Sequence, residues 1–155
     1  MTKLLDVVNK KDEVIDVKNK HSCGVNDITR VSCLIVYNSK DEILIAKRVA
    51  TKYFDPNKWS YSVAGTVENG ETYLQNIIKE AREEIGLIVD PVNLKEIYYG
   101  YVETSHKFFC RTYITQCDWP IGQFRLQADE VAEIMWIHKN DLEKWEQEKP
   151  YDFTA

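Results

Sequence analysis

The chain has 155 residues, of which 44% are apolar and 29% are charged, and its net charge is −5. This length suits one domain with a hydrophobic core, and the acidic balance argues against binding to a nucleic-acid duplex, which depends on neutralising phosphates. No apolar run approaches the ~20 residues of a membrane helix, and the N-terminus lacks the apolar core of a signal peptide. A cytoplasmic protein without membrane partners is therefore expected.

The first half of the sequence predicts strands arranged as hairpins. Residues 4–8 and 14–17 are short apolar segments around a polar stretch, which indicates an N-terminal hairpin. Residues 32–37 form an apolar, β-branched run, and residues 42–48 follow a polar turn as its expected hairpin partner. Residues 59–64 are predicted to form one further strand.

One segment in the middle of the chain is strongly helical. Thr72 and Gln75 have the spacing of a capping box, and Gly86 is well placed to end the helix. The sequence therefore predicts a helix from Thr72 to Ile85. Its apolar positions recur at helical spacing and are Leu74, Ile77, Ile78, Ala81 and Ile85.

Strands and a second helix are predicted after this central helix. Asn140 or Asp141 could cap a final helix that runs to Glu148. Strands before and after a central helix predict a single α/β domain over residues 1–155 with a mixed sheet. The later strands are predicted at residues 96–103, 107–116 and 132–138.

Three glutamates lie along one stripe of the predicted central helix. At about 100° per residue, Glu84 lies about 40° from Glu80, and Glu83 lies about 60° away on the other side. Like charges on neighbouring turns repel each other, so a counter-charge is expected. Mg²⁺ or Mn²⁺ would supply it well, because these hard cations favour carboxylate oxygens. The alternative is an ordinary solvated acidic face.

The residues before the helix make the cation more plausible and carry a family resemblance. A glycine-bearing loop from Gly65 to Glu71 can fold its backbone over the carboxylates. The segment resembles the signature of the Nudix hydrolases, G-x5-E-x7-R-E-U-x-E-E-x-G-U, where U is apolar. Lys79 departs from it, in place of arginine. The eight other fixed positions match, at Gly65, Glu71, Glu80, Ala81, Glu83, Glu84, Gly86 and Leu87.

The resemblance implies a fold, a cofactor and a reaction. It implies an α/β/α sandwich with a mixed sheet and with the Nudix box at residues 65–87. It implies that Glu80, Glu83 and Glu84 bind Mg²⁺ or Mn²⁺ with help from a backbone carbonyl near Gly65. The expected reaction is cleavage of a diphosphate linkage in a small molecule by water attack at phosphorus.

The resemblance also suggests supporting and catalytic roles. Glu80 is the first choice for the base that accepts the proton of the attacking water, with Glu83 beside it. In some members the base comes from a later loop, where Glu130 and Glu133 are the candidates. Glu71 and Lys79 are expected to support the site. Lysine lacks the planar fork of arginine, so a weaker clamp on Glu71 is expected.

The chain is also similar to the isopentenyl-diphosphate isomerase-like branch of this superfamily. In that branch, residues at the places of Arg48 and Lys52 contact the diphosphate, which makes both candidate substrate ligands. Ala64 and Thr66 stand where the isomerases have a catalytic cysteine and a metal-binding histidine, so isomerisation is disfavoured. A non-catalytic diphosphate-binding module is the other alternative. The sequence leaves the substrate and the oligomeric state open, a homodimer being one option.

Overall fold

Nine strands and two α-helices make up the fold in the computed structural model, which describes residues 2–155. The helices are α1 (Tyr73–Ile85) and α2 (Lys139–Glu148). The strands are β1 (Leu4–Val8), β2 (Val14–Asn19), β3 (Ile28–Tyr37), β4 (Glu42–Arg48), β5 (Trp59–Ser60), β6 (Val63–Thr66), β7 (Lys95–Glu103), β8 (Lys107–Gln116) and β9 (Val131–His138).

Strand β3 is the centre of the sheet. It pairs in parallel with β8 along ten residues, from Ile28 opposite Lys107 to Tyr37 opposite Gln116. Its other edge pairs antiparallel with β6, and its two ends contact β1 and β4. Strand β7 extends the sheet beyond β8, while β5 and β9 flank β4. Parallel and antiparallel pairs thus occur together, which confirms the predicted α/β fold with a mixed sheet.

The N-terminal hairpin and the second hairpin are confirmed. Strands β1 and β2 pair antiparallel, and β2 continues to Asn19, two residues beyond its predicted end. Strand β3 begins at Ile28 rather than at residue 32, because its parallel pairing with β8 starts there. Within residues 2–155, no helix has the length and apolar character that crossing a membrane would need.

The single strand predicted at residues 59–64 is wrong. Two short strands occupy this region, because β5 pairs with β4 whereas β6 pairs with β3. The chain changes partner at Ser62, which is fully buried. Its hydroxyl donates to the Leu44 carbonyl at 2.5 Å and accepts from the Val36 N–H at 2.8 Å. These bonds replace the ladder bonds that a continuous strand would have made.

Helix α1 has the predicted ends. The Thr72 hydroxyl accepts from the Gln75 N–H at 3.1 Å, and the Gln75 side chain accepts from the Thr72 N–H at 3.0 Å. Gly86 ends the helix with φ 71°, a left-handed conformation that costs glycine little. The apolar stripe packs into the core through Ile77, Ala81 and Ile85, all fully buried. This packing fixes the rotation of the helix about its own axis, and with it the direction of the stripe that carries the glutamates.

Helix α2 begins one residue before the predicted caps. His138 is the N-cap, and its Nδ1 accepts from the Asn140 N–H at 3.2 Å. The prediction of Asn140 or Asp141 as the cap is therefore wrong, because β9 runs directly into the helix and leaves the extended conformation only after His138.

Candidate active site

The strand, loop and helix of the signature bring Glu80 against the backbone of Gly65. A methyl group placed on Gly65 would lie 2.5 Å from Cγ and 2.8 Å from Cδ of Glu80. Real Cβ atoms do not approach other atoms so closely, so only glycine allows Glu80 to occupy this position. The requirement for Gly65 is thus steric, since its φ is not in the left-handed region.

Gly65→Ala tests this close approach. We expect the new methyl group to displace the Glu80 carboxylate while the strand pairing of β6 persists, because alanine is compatible with an extended backbone. Activity should fall by about tenfold or more, since small displacements of catalytic groups are costly. Far-ultraviolet circular dichroism should remain unchanged. Unaltered turnover would show that the position of Glu80 against Gly65 is unimportant.

Glu80 and Glu84 are buried carboxylates one helical turn apart. Glu80 is 6% exposed and Glu84 is 9% exposed. Burial, together with the negative charges of Glu80 and Glu130, raises the pKa of Glu84 to about 8, against the opposing effects of Lys52 and the Ala64 backbone. Burial likewise raises the pKa of Glu80. Ionising either carboxyl group in the folded protein therefore costs free energy, and a cation bound between them would lower that cost.

Glu83 does not join this buried pair. Its side chain is exposed, although its charge is close enough to raise the pKa of Glu80. Across residues 2–155, no three histidine, cysteine, aspartate or glutamate side chains are arranged so that they could hold a metal ion. The predicted convergence of Glu80, Glu83 and Glu84 on one point is therefore not formed in this conformation. Two of the three predicted ligands, Glu80 and Glu84, are buried one helical turn apart, and Glu80 lies against Gly65.

Lys79 clamps the loop that precedes the helix. Its ammonium donates to Glu71 Oε1 at 2.5 Å and also to Glu68. The second Glu71 oxygen accepts from the Glu68 N–H and from the Asn76 amide, each at 3.0 Å. Burial raises the pKa of Glu71, but these donors outweigh it and hold that pKa below its usual value. Lys79 thus forms a hydrogen-bonded ion pair with Glu71, the partner that the sequence suggests, and a second one with Glu68.

Replacing Lys79 tests the clamp. Lys79→Gln leaves Glu68 and Glu71 without their cation. We expect it to destabilise the fold by about 1–2 kcal/mol, at the lower end of what hydrogen bonds to charged groups contribute, because the groups are partly exposed. Lys79→Arg keeps the charge and should retain most of this stability. Urea denaturation measures the difference. Equal midpoints for the glutamine variant and the parent would contradict a role for Lys79 in holding the loop.

Lys52 and Glu130 form an ion pair next to the buried glutamates. The Lys52 ammonium contacts Glu130, and both groups act electrostatically on Glu84. Glu133 is exposed on β9 opposite Lys47, and its catalytic role stays a prediction. Of the two later glutamates, Glu130 is the one whose charge helps to raise the pKa of both Glu80 and Glu84.

Arg48 is hydrogen-bonded to the loop that follows β4, and its role as a phosphate ligand stays a prediction. Its guanidinium donates twice to the Phe54 carbonyl, at 2.9 and 3.1 Å. Arg48 therefore holds the loop between β4 and β5, the loop that carries Lys52. This arrangement gives Arg48 a supporting position and leaves Lys52 as the member of the predicted pair that lies beside the glutamates.

The structure adds residues that the sequence did not single out. Asn76 is fully buried in α1 and bonds to Ser32, to Glu71 and to the Thr66 carbonyl, so it ties the helix to β3 and to the loop. A buried amide at a helix position facing a strand is a weak sequence signal, because asparagine is also common on exposed faces.

Comparison with known proteins agrees with the signature. The uncharacterized Nudix hydrolase YfcD of Salmonella typhi is 28% identical over 144 residues, covering 91% of this chain and 75% of that protein. The uncharacterized Nudix hydrolase lin0387 of Listeria innocua is 32% identical over 108 residues, covering 70% of this chain and 62% of that protein, so the chain spans less than two thirds of this second relative.

Solved structures have the same fold. DR0079 from Deinococcus radiodurans superimposes with a TM-score of 0.77 at 25% identity, covering 90% of this chain and 86% of that one. A Caenorhabditis elegans Ap4A hydrolase in a binary complex superimposes with a TM-score of 0.59 at 19% identity, covering 76% of this chain and 85% of that one. The model of the NUDIX domain family matches residues 27–155. The chain belongs to the Nudix family and is a hydrolase of acid anhydrides with the family's α/β/α sandwich fold.

Proposed function

We propose that this enzyme uses Mg²⁺ or Mn²⁺ to cleave a diphosphate linkage in a small molecule, by water attack at phosphorus. The observation that carries the proposal is the pair of buried carboxylates one helical turn apart. Glu80 lies against the Gly65 backbone, and Glu84 is hydrogen-bonded to the backbone of Ala64. Neither carboxylate forms an ion pair within residues 2–155, although each is buried. Burying an ionised carboxylate without a counter-charge costs folding free energy. The presence of two such carboxylates side by side therefore favours a ligand that neutralises them.

The donor set suits a hard divalent cation. Carboxylate oxygens from Glu80 and Glu84, with a backbone carbonyl near Gly65 and Glu83 on the adjacent stripe, are the oxygen ligands that Mg²⁺ and Mn²⁺ prefer. A bound ion would polarise the phosphoryl oxygens and lower the pKa of a bound water.

The protein's own residues have separable tasks in this reaction. Glu80 or Glu130 accepts the proton of the attacking water, since both lie beside Glu84 and Glu130 comes from the later loop. Lys52 donates to a phosphate oxygen, which is chemically reasonable because its ammonium can contact Glu130 and a substrate oxygen together. Lys79 and Glu71 hold the loop that positions Gly65 and the start of α1.

A substrate panel tests the proposal. Nucleoside triphosphates, nucleotide sugars, ADP-ribose, dinucleoside polyphosphates and prenyl diphosphates would each be incubated with Mg²⁺, with Mn²⁺ and with a chelator. We expect release of phosphate or a nucleotide from at least one compound, and only with metal. Product identification separates hydrolysis from isomerisation of isopentenyl diphosphate. Metal-independent turnover, or an isomerised product without hydrolysis, would contradict the proposal.

A further inference from the structure

Two buried cysteines lie beside each other on neighbouring strands, and the proposed reaction uses neither of them. Cys33 of β3 is 3% exposed, Cys110 of β8 is 5% exposed, and their sulfur atoms are 3.7 Å apart. Both thiols are free. The other two cysteines lie elsewhere, since Cys23 donates to the Asn19 carbonyl at 3.7 Å and Cys117 follows the end of β8. The fold thus holds one particular pair of thiols in contact.

This thiol pair is one strand away from the candidate site. Cys33 is opposite Ala64 in the antiparallel pairing of β3 with β6. The Ala64 backbone is hydrogen-bonded to Glu84. The next residue, Gly65, lies against Glu80. A displacement of β3 at Cys33 would therefore be passed through β6 to both buried carboxylates.

The register of β3 and β8 decides what a bond between the two sulfurs would do. Val31 is directly opposite Cys110, so Cys33 is its diagonal neighbour on the same face of the sheet. A disulfide holds its sulfurs about 2.05 Å apart, so these atoms would have to approach by about 1.6 Å. Because packed strands have little free space, part of this movement has to come from the backbone. The bond would thus shift β3 relative to its neighbours.

The route to Cys110 passes a side chain that is half exposed. Gly100 of β7 is directly opposite Cys110, and a methyl group placed on Gly100 would lie 2.6 Å from the Tyr98 hydroxyl. The Tyr98 ring therefore lies over Gly100, on the same face of the sheet as Cys110. Tyr98 is 47% exposed, and exposed side chains change rotamer within nanoseconds. We expect this motion to give a molecule as small as hydrogen peroxide a path to the Cys110 sulfur.

Cys110 is the better nucleophile of the pair. Its hydrogen bond with Cys33 outweighs the effect of burial and, together with the Thr112 hydroxyl at 3.6 Å, lowers the pKa of Cys110 to about 7. Part of this thiol is therefore ionised at neutral pH. The thiolate is the form that reacts with peroxides, and a second thiol in contact with it can resolve the product.

We propose that Cys33 and Cys110 are a modification site, at which hydrogen peroxide converts the two thiols into a reversible disulfide that disturbs the neighbouring carboxylate site. First, the Cys110 thiolate attacks one peroxide oxygen, the O–O bond breaks, and hydroxide leaves to be protonated. Next, the Cys33 sulfur attacks the sulfenic acid, the S–S bond forms, and the S–O bond breaks to release water. Two electrons pass from the sulfurs to the peroxide, and two molecules of water are formed.

Peptide mapping of the full chain after treatment with hydrogen peroxide tests the disulfide. Trypsin places the four cysteines in four different peptides, because lysine or arginine residues separate them. We expect residues 31–40 to be linked to residues 108–111, and the link to disappear with dithiothreitol. The variant Cys23→Ala/Cys117→Ala should form the same link, and Cys33→Ala should not. The parent and the first variant carry the test even if Cys33→Ala does not fold.

Amide hydrogen exchange of the reduced and oxidised proteins tests whether the disulfide reaches the site. We expect residues 63–66 to exchange at least about tenfold faster in the oxidised protein, because a shift of β3 weakens its ladder bonds to β6. Residues 139–148 of α2 serve as the control and should exchange equally in both forms. With an active substrate, turnover should fall on oxidation and return with dithiothreitol.

The outcomes separate this inference from the proposed function. Oxidation that stops at a sulfenic or sulfinic acid of Cys110, or thiols that remain unmodified, would overturn the disulfide. A linked peptide with unchanged exchange at residues 63–66 would overturn its influence on the site. Only that influence bears on the proposed function, and both measurements are made without substrate. They therefore decide the inference even if no compound of the panel is hydrolysed.

Discussion

Glu84→Gln is expected to lower kcat/KM by at least about 100-fold, the loss typical of removing a group that stabilises charge at a reacting phosphorus or carbonyl centre. Glutamine keeps the volume of the side chain but removes the charge that would bind a cation. The fold should persist, because Glu84 has a pKa raised to about 8 and is already mostly protonated in the metal-free protein at neutral pH. Metal-dependent turnover of an active panel substrate measures the effect.

The matched control for this variant is Glu143→Gln. Glu143 is an exposed glutamate of α2, far along the chain from the signature, and the same substitution there should leave turnover unchanged. Circular dichroism should give the same spectrum for both variants and the parent. If Glu84→Gln retained the parent's kcat/KM, the carboxylate pair would not be the catalytic centre.

The free energy of unfolding of the metal-free protein should depend on pH through Glu84. Its pKa is raised from 4.5 to about 8 on folding, so between these values the folded state holds a proton that the unfolded state has lost. Stability from this group is therefore fully present below about pH 4.5 and decreases as the pH rises toward 8. At about 1.36 kcal/mol per pKa unit, the total is on the order of 5 kcal/mol and is an upper bound.

Urea denaturation of the parent and of Glu84→Gln, with a chelator, at several values between pH 5 and pH 8 measures this dependence. We expect the variant to become more stable relative to the parent as the pH rises, because glutamine does not ionise. Mn²⁺ should stabilise the parent more at pH 8 than at pH 5, since it competes with the proton. Parallel stability curves for the two proteins would show that Glu84 ionises normally in the fold.

The centre of the fold was accessible from sequence because its signals are local. The Thr72–Gln75 capping pair and Gly86 specify both ends of α1 through contacts within a few residues. The apolar spacing between them specifies the buried face, and the glutamates then follow from helix geometry. The close approach of Glu80 to Gly65 agrees with the expectation that the glycine loop lies over the carboxylates.

The errors arose where partners distant in sequence decide the structure. The strand predicted at residues 59–64 divides because the Ser62 hydroxyl bonds to the backbone of β3 and of β4, and nothing local to Ser62 indicates those partners. Arg48 donates to the carbonyl of Phe54, a contact that no local pattern predicts, and its role as a phosphate ligand stays a prediction. Asn76 is a further case, because its bonds to Ser32 and to the Thr66 carbonyl exist only in the folded chain.

The location of the cation is the central claim, and anomalous diffraction from a crystal soaked in Mn²⁺ tests it most directly. The account predicts an anomalous peak in contact with carboxylate oxygens of Glu80 and Glu84 and close to the Gly65 backbone. It also predicts that the peak disappears in Glu84→Gln. A crystal with bound manganese elsewhere and none between these two carboxylates would contradict the account.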